Sequence, residues 1–166
     1  MQIDDIQTFL VYYGKIKART RRLFPLIPPD KIEWTYQEGK FTIGDIIRHL
    51  GAIERYMYAE NALGLLSRYR GCGPELASGY DATIQYYEQM NEESKKIFAQ
   101  LSPRDLRQKV KTPANIEITL WKWLRAMLEH EVHHRGQLYM YLAILGIQTP
   151  PLYGLTSEEV AAVGRP

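Results

Sequence analysis

Cysteine is almost missing from this 166-residue chain: Cys72 is the only one. A disulfide within the chain is therefore impossible, and a cysteine-rich zinc site is excluded. Long apolar runs are missing too, since none approaches the roughly 20 residues that a membrane-spanning helix needs. Neither sign of charge is in excess, with 21 Lys and Arg against 19 Asp and Glu and a formal net charge of +2. That balance gives no reason to expect a nucleic-acid or anionic-membrane partner. The opening residues Met1-Gln2-Ile3-Asp4-Asp5 carry acids where a secretory signal needs a basic start and an apolar core. A cytoplasmic protein with no membrane or nucleic-acid partner is the expectation. Clean strand alternation, internal repeats and low-complexity stretches are also missing. Histidine is scarce, at four, and its placement is the most informative feature present.

The length suits one domain spanning residues 1–166, large enough to need no disulfide staples. An apolar fraction of 45% and a charged fraction of 24% are ordinary for a globular chain. Helical periodicity dominates. Ile6, Phe9, Leu10, Tyr13, Ile16, Thr20 and Leu23 predict a first helix from about Asp4 to Phe24, stopped by Pro25, Pro28 and Pro29. Thr42 as N-cap and Asp45 in the first turn open a second helix that should run to about Leu66, with Ile46, Leu50, Ile53 and Met57 on its core face. The break at Arg70-Gly71-Cys72-Gly73-Pro74 precedes a third helix, from between Ser78 and Asp81 to about Leu101. Arg104 to Ile118 reads as irregular, with short extended pieces at Val110 and at Ile116 to Ile118. A fourth helix from about Thr119 to Leu145 ends at Gly146, and Thr156 with Glu159 forms a capping box for a short last helix. The expected fold is all-α, a four-helix bundle with long connections. One or more of those connections would cross the bundle's end and help roof a site.

Three of the four histidines fall in His130-Glu131-Val132-His133-His134. His130 and His134 are four apart, so on a helix they share one face and can hold one ion. His49 lies among Ile46, Leu50 and Ile53, where an unpaired buried imidazole would be costly. It can complete a three-nitrogen set, the pattern of catalytic rather than structural zinc sites. Metal binding by His49, His130 and His134 is thus expected. His133 projects about 100° away from His134 and reads as a surface, interface or supporting residue. Asp45, one turn before His49, could orient that imidazole or serve as a fourth ligand, although a first-turn helix acid explains it fully. The same five letters also spell H-E-x-x-H, in which Glu131 would be the base of a zinc protease. With no sheet to bind an extended peptide, Glu131 reads instead as a solvated or salt-bridged bystander. Cys72 reads as an incidental surface thiol.

The run His130 to Leu138, with Arg135-Gly136-Gln137 following the histidine pair, resembles the H-x-x-x-H-R-G-Q segment of the DinB-like superfamily, named for DNA-damage-inducible proteins. Thr42-Ile43-Gly44-Asp45-Ile46-Ile47-Arg48-His49 is similar to that family's second-helix histidine pattern, and the resemblance covers nearly the whole chain. It implies a four-helix bundle whose His49, His130 and His134 hold a divalent metal ion, commonly zinc or nickel. It further implies a homodimer formed through helix faces. Characterised relatives include thiol-dependent transferases and isomerases that use mycothiol, bacillithiol or glutathione as a low-molecular-weight thiol cosubstrate. Gly136 would allow a close helix approach and Arg135 would anchor a loop or the partner chain. The leading expectation is a metal-dependent thiol transferase or hydrolase acting on a small molecule. The alternatives are a non-catalytic, metal-binding stress-response dimer and the zinc protease.

Overall fold

The computed structural model describes residues 3–164. Helix α1 spans Ile6–Arg21, and the Asp5 carboxylate caps it by accepting the Thr8 N–H at 2.7 Å. Two single 3₁₀ turns, Phe24–Leu26 and Pro29–Lys31, follow where the prolines forbid a longer helix. Helix α2, Ile43–Ile53, opens on a full capping box in which Thr42 and Asp45 satisfy each other's backbone N–H. Its axis continues through a π-helical turn, Glu54–Tyr58, into α3, Ala59–Ala62. The π turn is defined by the Ala59 N–H reaching back five residues to the Glu54 carbonyl. Helix α4 spans Tyr80–Phe98.

The segment read as irregular contains a short helix, α5, at Pro103–Arg107. Ser102 and Asp105 form its capping box and Pro103 occupies the first turn, so the residues that stop α4 also start α5. Strands β1, Lys109–Lys111, and β2, Glu117–Thr119, then pair antiparallel with Val110 opposite Ile118. They are the extended pieces the sequence suggested. Helix α6, Leu120–Ile144, ends at Gly146, whose φ of 74° suits glycine. Helix α7, Ser157–Val163, carries the expected Thr156–Glu159 capping box and is exposed along its length. Among the described residues, no helix is long and apolar enough to cross a membrane.

The long helices form a four-helix bundle. Helix α2 packs on α4 and α6, and α1 packs on the same two. The α2–α4 approach depends on Gly51, where a Cβ would stand 3.2 Å from the Tyr87 Cα and 3.3 Å from the Met90 Cβ. The core divides into two apolar clusters, one around Phe9, Tyr13, Phe98 and Leu124, the other around Ile46, Leu50, Tyr87 and Leu138. A buried polar group links them. Lys17 Nζ bonds Glu54 Oε2 at 2.6 Å and Glu131 Oε2 at 2.7 Å. Tyr13 donates to Glu54 at 2.7 Å and Tyr87 donates to Glu131 at 2.9 Å. Two carboxylates thus share one ammonium. Burial pushes the Glu54 carboxyl up, whereas the Lys17 charge and the hydrogen bonds to Glu131 outweigh burial there and hold it down.

Candidate metal centre

Helix α2 presents His49 towards α6, and α6 presents His130 and His134 one turn apart on the facing side. The three side chains meet. His130 Nε2 lies 3.1 Å from His49 Nε2 and 3.0 Å from His134 Nε2. Their ring centroids stand 4.4 to 5.0 Å apart. His49 and His134 are buried, and His130 is half-buried. Burial and the neighbouring imidazoles push His49 down to about 3 and His130 down to about 4, and burial lowers His134 too. All three are therefore neutral at physiological pH, the form that binds a metal ion.

The supporting hydrogen bonds fix which nitrogen faces inward. Gln137 Oε1 can only accept, so His134 Nδ1–H donates to it at 2.6 Å and leaves His134 Nε2 bare. The His49 Nδ1 lies 2.7 Å from the Tyr69 hydroxyl, which leaves its Nε2 turned to the cluster. His130 Nε2 can carry at most one hydrogen and has two nitrogen neighbours at contact distance, so one proton cannot hydrogen-bond both of them well. A cation satisfies all three lone pairs at once. Two imidazole nitrogens on one tetrahedral zinc ion stand about 3.3 Å apart, given a Zn–N bond of about 2.05 Å. The two separations at His130 lie near that value, all three histidines place a donor atom within 4.8 Å of the others, and imidazole donors suit several divalent transition metals.

Two connections flank the cluster, as the sequence reading anticipated. Phe41 packs on His49 with ring centroids 5.6 Å apart, and its carbonyl accepts the Tyr141 hydroxyl at 2.8 Å. Tyr69 comes from the other connection. Arg48, fully buried, holds both in place. It pairs with Glu33 at 2.7 Å on the first connection and donates to the Cys72 and Ala77 carbonyls at 2.8 and 3.0 Å on the second. Beside His134 lies a cavity of about 590 Å³ whose lining includes Tyr36, Lys40, Phe41, His133, Gln137 and Met140.

Several expectations change. Asp45 spends its carboxylate on the α2 cap and on Arg48 at 2.8 Å, and so neither orients His49 nor serves as a ligand. Glu131 is salt-bridged but not solvated. It is buried against Lys17 and Tyr87 on the core side of α6, which denies it the role of a protease base acting at the histidines. Arg135 anchors α1 rather than a loop or a partner, donating to the Ile16 carbonyl at 3.2 Å. Gly136 is exposed with open space around its Cβ position, so the close approach belongs to Gly51 instead. Cys72 is buried, not a surface thiol. His133 is exposed, on the cavity's edge, as expected. The residues missed were Tyr69, whose loop position gives no signal, and the orienting role of Gln137, which its spacing of three from His134 could have suggested.

A four-helix bundle carrying three convergent buried or half-buried histidines is a candidate metalloprotein by fold and site. The sequence profile of the DinB superfamily matches residues 13–138, and the chain belongs to that superfamily. Its fold is shared with a DinB-like protein from Bacillus subtilis, at 18% identity, with a TM-score of 0.73 over 90% of this chain and 99% of that one. A DinB-like protein from Bacillus cereus is similar at 15% identity, with a TM-score of 0.73 over 89% of this chain and 97% of that one. No curated protein matches the chain.

Proposed function

We propose that this protein is an enzyme that uses a divalent metal ion, zinc or nickel, to act on a small molecule as a thiol transferase or hydrolase. The observation that carries the reading is the convergence of three neutral imidazole nitrogens at 3.0 and 3.1 Å, too many lone pairs for the protons available. Ligands would be His49, His130 and His134. A bound ion supplies Lewis acidity that activates a low-molecular-weight thiol, such as bacillithiol, mycothiol or glutathione, or a water molecule. The protein's own residues do the rest. Gln137 and Tyr69 keep the two outer imidazoles in the Nε2-facing orientation. The cavity beside His134 admits a substrate, Lys40 supplies positive charge for an anionic one, and Tyr36, Phe41 and Met140 supply apolar surface. A homodimer is part of the proposal. Tyr12 on α1 and Leu128 and Val132 on α6 line a shallow surface rimmed by Arg125 and Glu129, suited to a second copy, and sedimentation tests it.

Metal analysis of the purified protein tests the site. One equivalent in the native chain and almost none in His49→Ala is the expected result, and full metal content in the variant would overturn it. Cobalt substitution then tests the chemistry. Absorption changes on adding one of these thiols support transfer, whereas silence with every thiol, together with no hydrolysis of small esters or amides, leaves the non-catalytic metal-binding dimer.

A further inference from the structure

A second pocket, of about 310 Å³, is built from the same connection that supplies Tyr69 and from the α2–α4 surface behind it. Its apolar walls are Ala52 and Leu76 and the rings of Tyr56 and Tyr86. Two cations border it, and they differ. Arg68 is already engaged, paired with Glu60 at 2.5 Å and lying over the Tyr56 ring at 5.7 Å. Arg70 is exposed and makes no hydrogen bond or ion pair among the described residues. The Tyr86 hydroxyl is buried and has no hydrogen-bond partner among the described residues. A buried donor left unpaired costs stability unless something supplies an acceptor. A free guanidinium and an unsatisfied hydroxyl on one pocket ask for the same complement, an anionic oxygen acceptor. The aromatic walls ask for an apolar body attached to it.

We propose that this pocket is a binding site for a small organic carboxylate, with its carboxylate taken by Arg70 and Tyr86 and its apolar body against the pocket's apolar walls. The site is distinct from the histidine cluster. Tyr69 stands between Arg68 and Arg70 in sequence and points the other way, to His49, so the two sites lie on either side of one short stretch of chain. An inorganic anion would satisfy the cation but leave the aromatic walls unused, which favours the organic acid.

Benzoate is the probe, with neutral benzamide as its isostere, and binding is followed by ligand-observed NMR on the full chain. The expected result is saturable benzoate binding, weakened roughly tenfold or more in Arg70→Gln and several-fold in Tyr86→Phe, with little benzamide binding. Both variants should melt like the native protein, because Arg70 is exposed and the lost Tyr86 hydroxyl had no partner. His49→Ala separates this pocket from the metal centre and should bind benzoate normally. The proposal is overturned by absence of saturable benzoate binding, by equal binding of benzamide, or by binding that survives Arg70→Gln and disappears in His49→Ala.

Discussion

Acid should barely loosen the metal. A metal ion competes with a proton for each imidazole, so affinity is divided, for each ligand, by one plus ten raised to its pKa minus the pH. For three ordinary imidazoles near pKa 6.5 that divisor is about 1.3 at pH 7.5 and about 1,300 at pH 5.5, a loss of roughly a thousandfold. Here burial and mutual repulsion hold His49 at about 3 and His130 at about 4. Their two factors stay close to 1 across this range. His134 is lowered as well, so even its contribution stays below the roughly tenfold of a single ordinary histidine. Titrating cobalt into metal-free protein at pH 7.5, 6.5 and 5.5 in a non-coordinating buffer, read by absorption, measures this directly. The expected loss is under tenfold. A loss of a hundredfold or more would refute a preformed, neutral, buried triad. The same shifts fix the sign for stability. A histidine pKa depressed in the folded state adds stability above the unfolded value, near 6.5, and that stability is lost as pH falls towards the folded value. Urea midpoints of the metal-free protein should therefore decline steadily from pH 6.5 towards 4.

Replacing Lys17 by Met leaves Glu54 and Glu131 buried together without their cation. The expected cost is about 3–5 kcal/mol, seen as a thermal midpoint lower by roughly 10 °C, and a near-native melt would refute the ion-pair account. Because Glu54 is already raised, the difference between Lys17→Met and native protein should shrink as pH falls and grow as it rises through the folded value. Gln137→Leu removes the acceptor that orients His134 and should weaken metal binding by about 10- to 100-fold, measured by competition with a chromophoric chelator, with little change in helix content. Arg48→Ala breaks the tie between both connections and α2 and leaves the Cys72 and Ala77 carbonyls without their donor, which should cost about 1–3 kcal/mol because Glu33 and Asp45 keep some access to solvent. Limited proteolysis should then cut first within residues 63–79.

The site was readable where helical geometry converts spacing into direction. His130 and His134 share a face because they are four apart, and His49 betrayed itself by standing in an apolar stripe. Thr42 with Asp45 and Thr156 with Glu159 announced two helix starts through local chemistry alone. What stayed hidden depends on contacts between distant segments. Tyr69 reaches His49 only because Arg48 holds the carbonyls of Cys72 and Ala77, and nothing near Tyr69 encodes that. Glu131 looked like a surface acid because its partner, Lys17, is 114 residues away. Helix α5 was hidden by Pro103, which serves equally as a stop for one helix and a start for the next.

The π turn at Glu54–Tyr58 makes chain length itself a specification. One extra residue is wound into a single turn there, so every residue after it is advanced by one position without leaving the helix axis. Before the turn, the helix faces the histidines with His49. After it, Glu60 receives Arg55 and Arg68 and Asn61 accepts the Trp123 indole N–H. Deleting one residue from the turn would restore ordinary α-helical bonding, yet rotate that entire downstream face by about 100°. A shorter segment would thus form a better helix and a worse protein. The turn works as a vernier between two faces that a uniform helix could not align together.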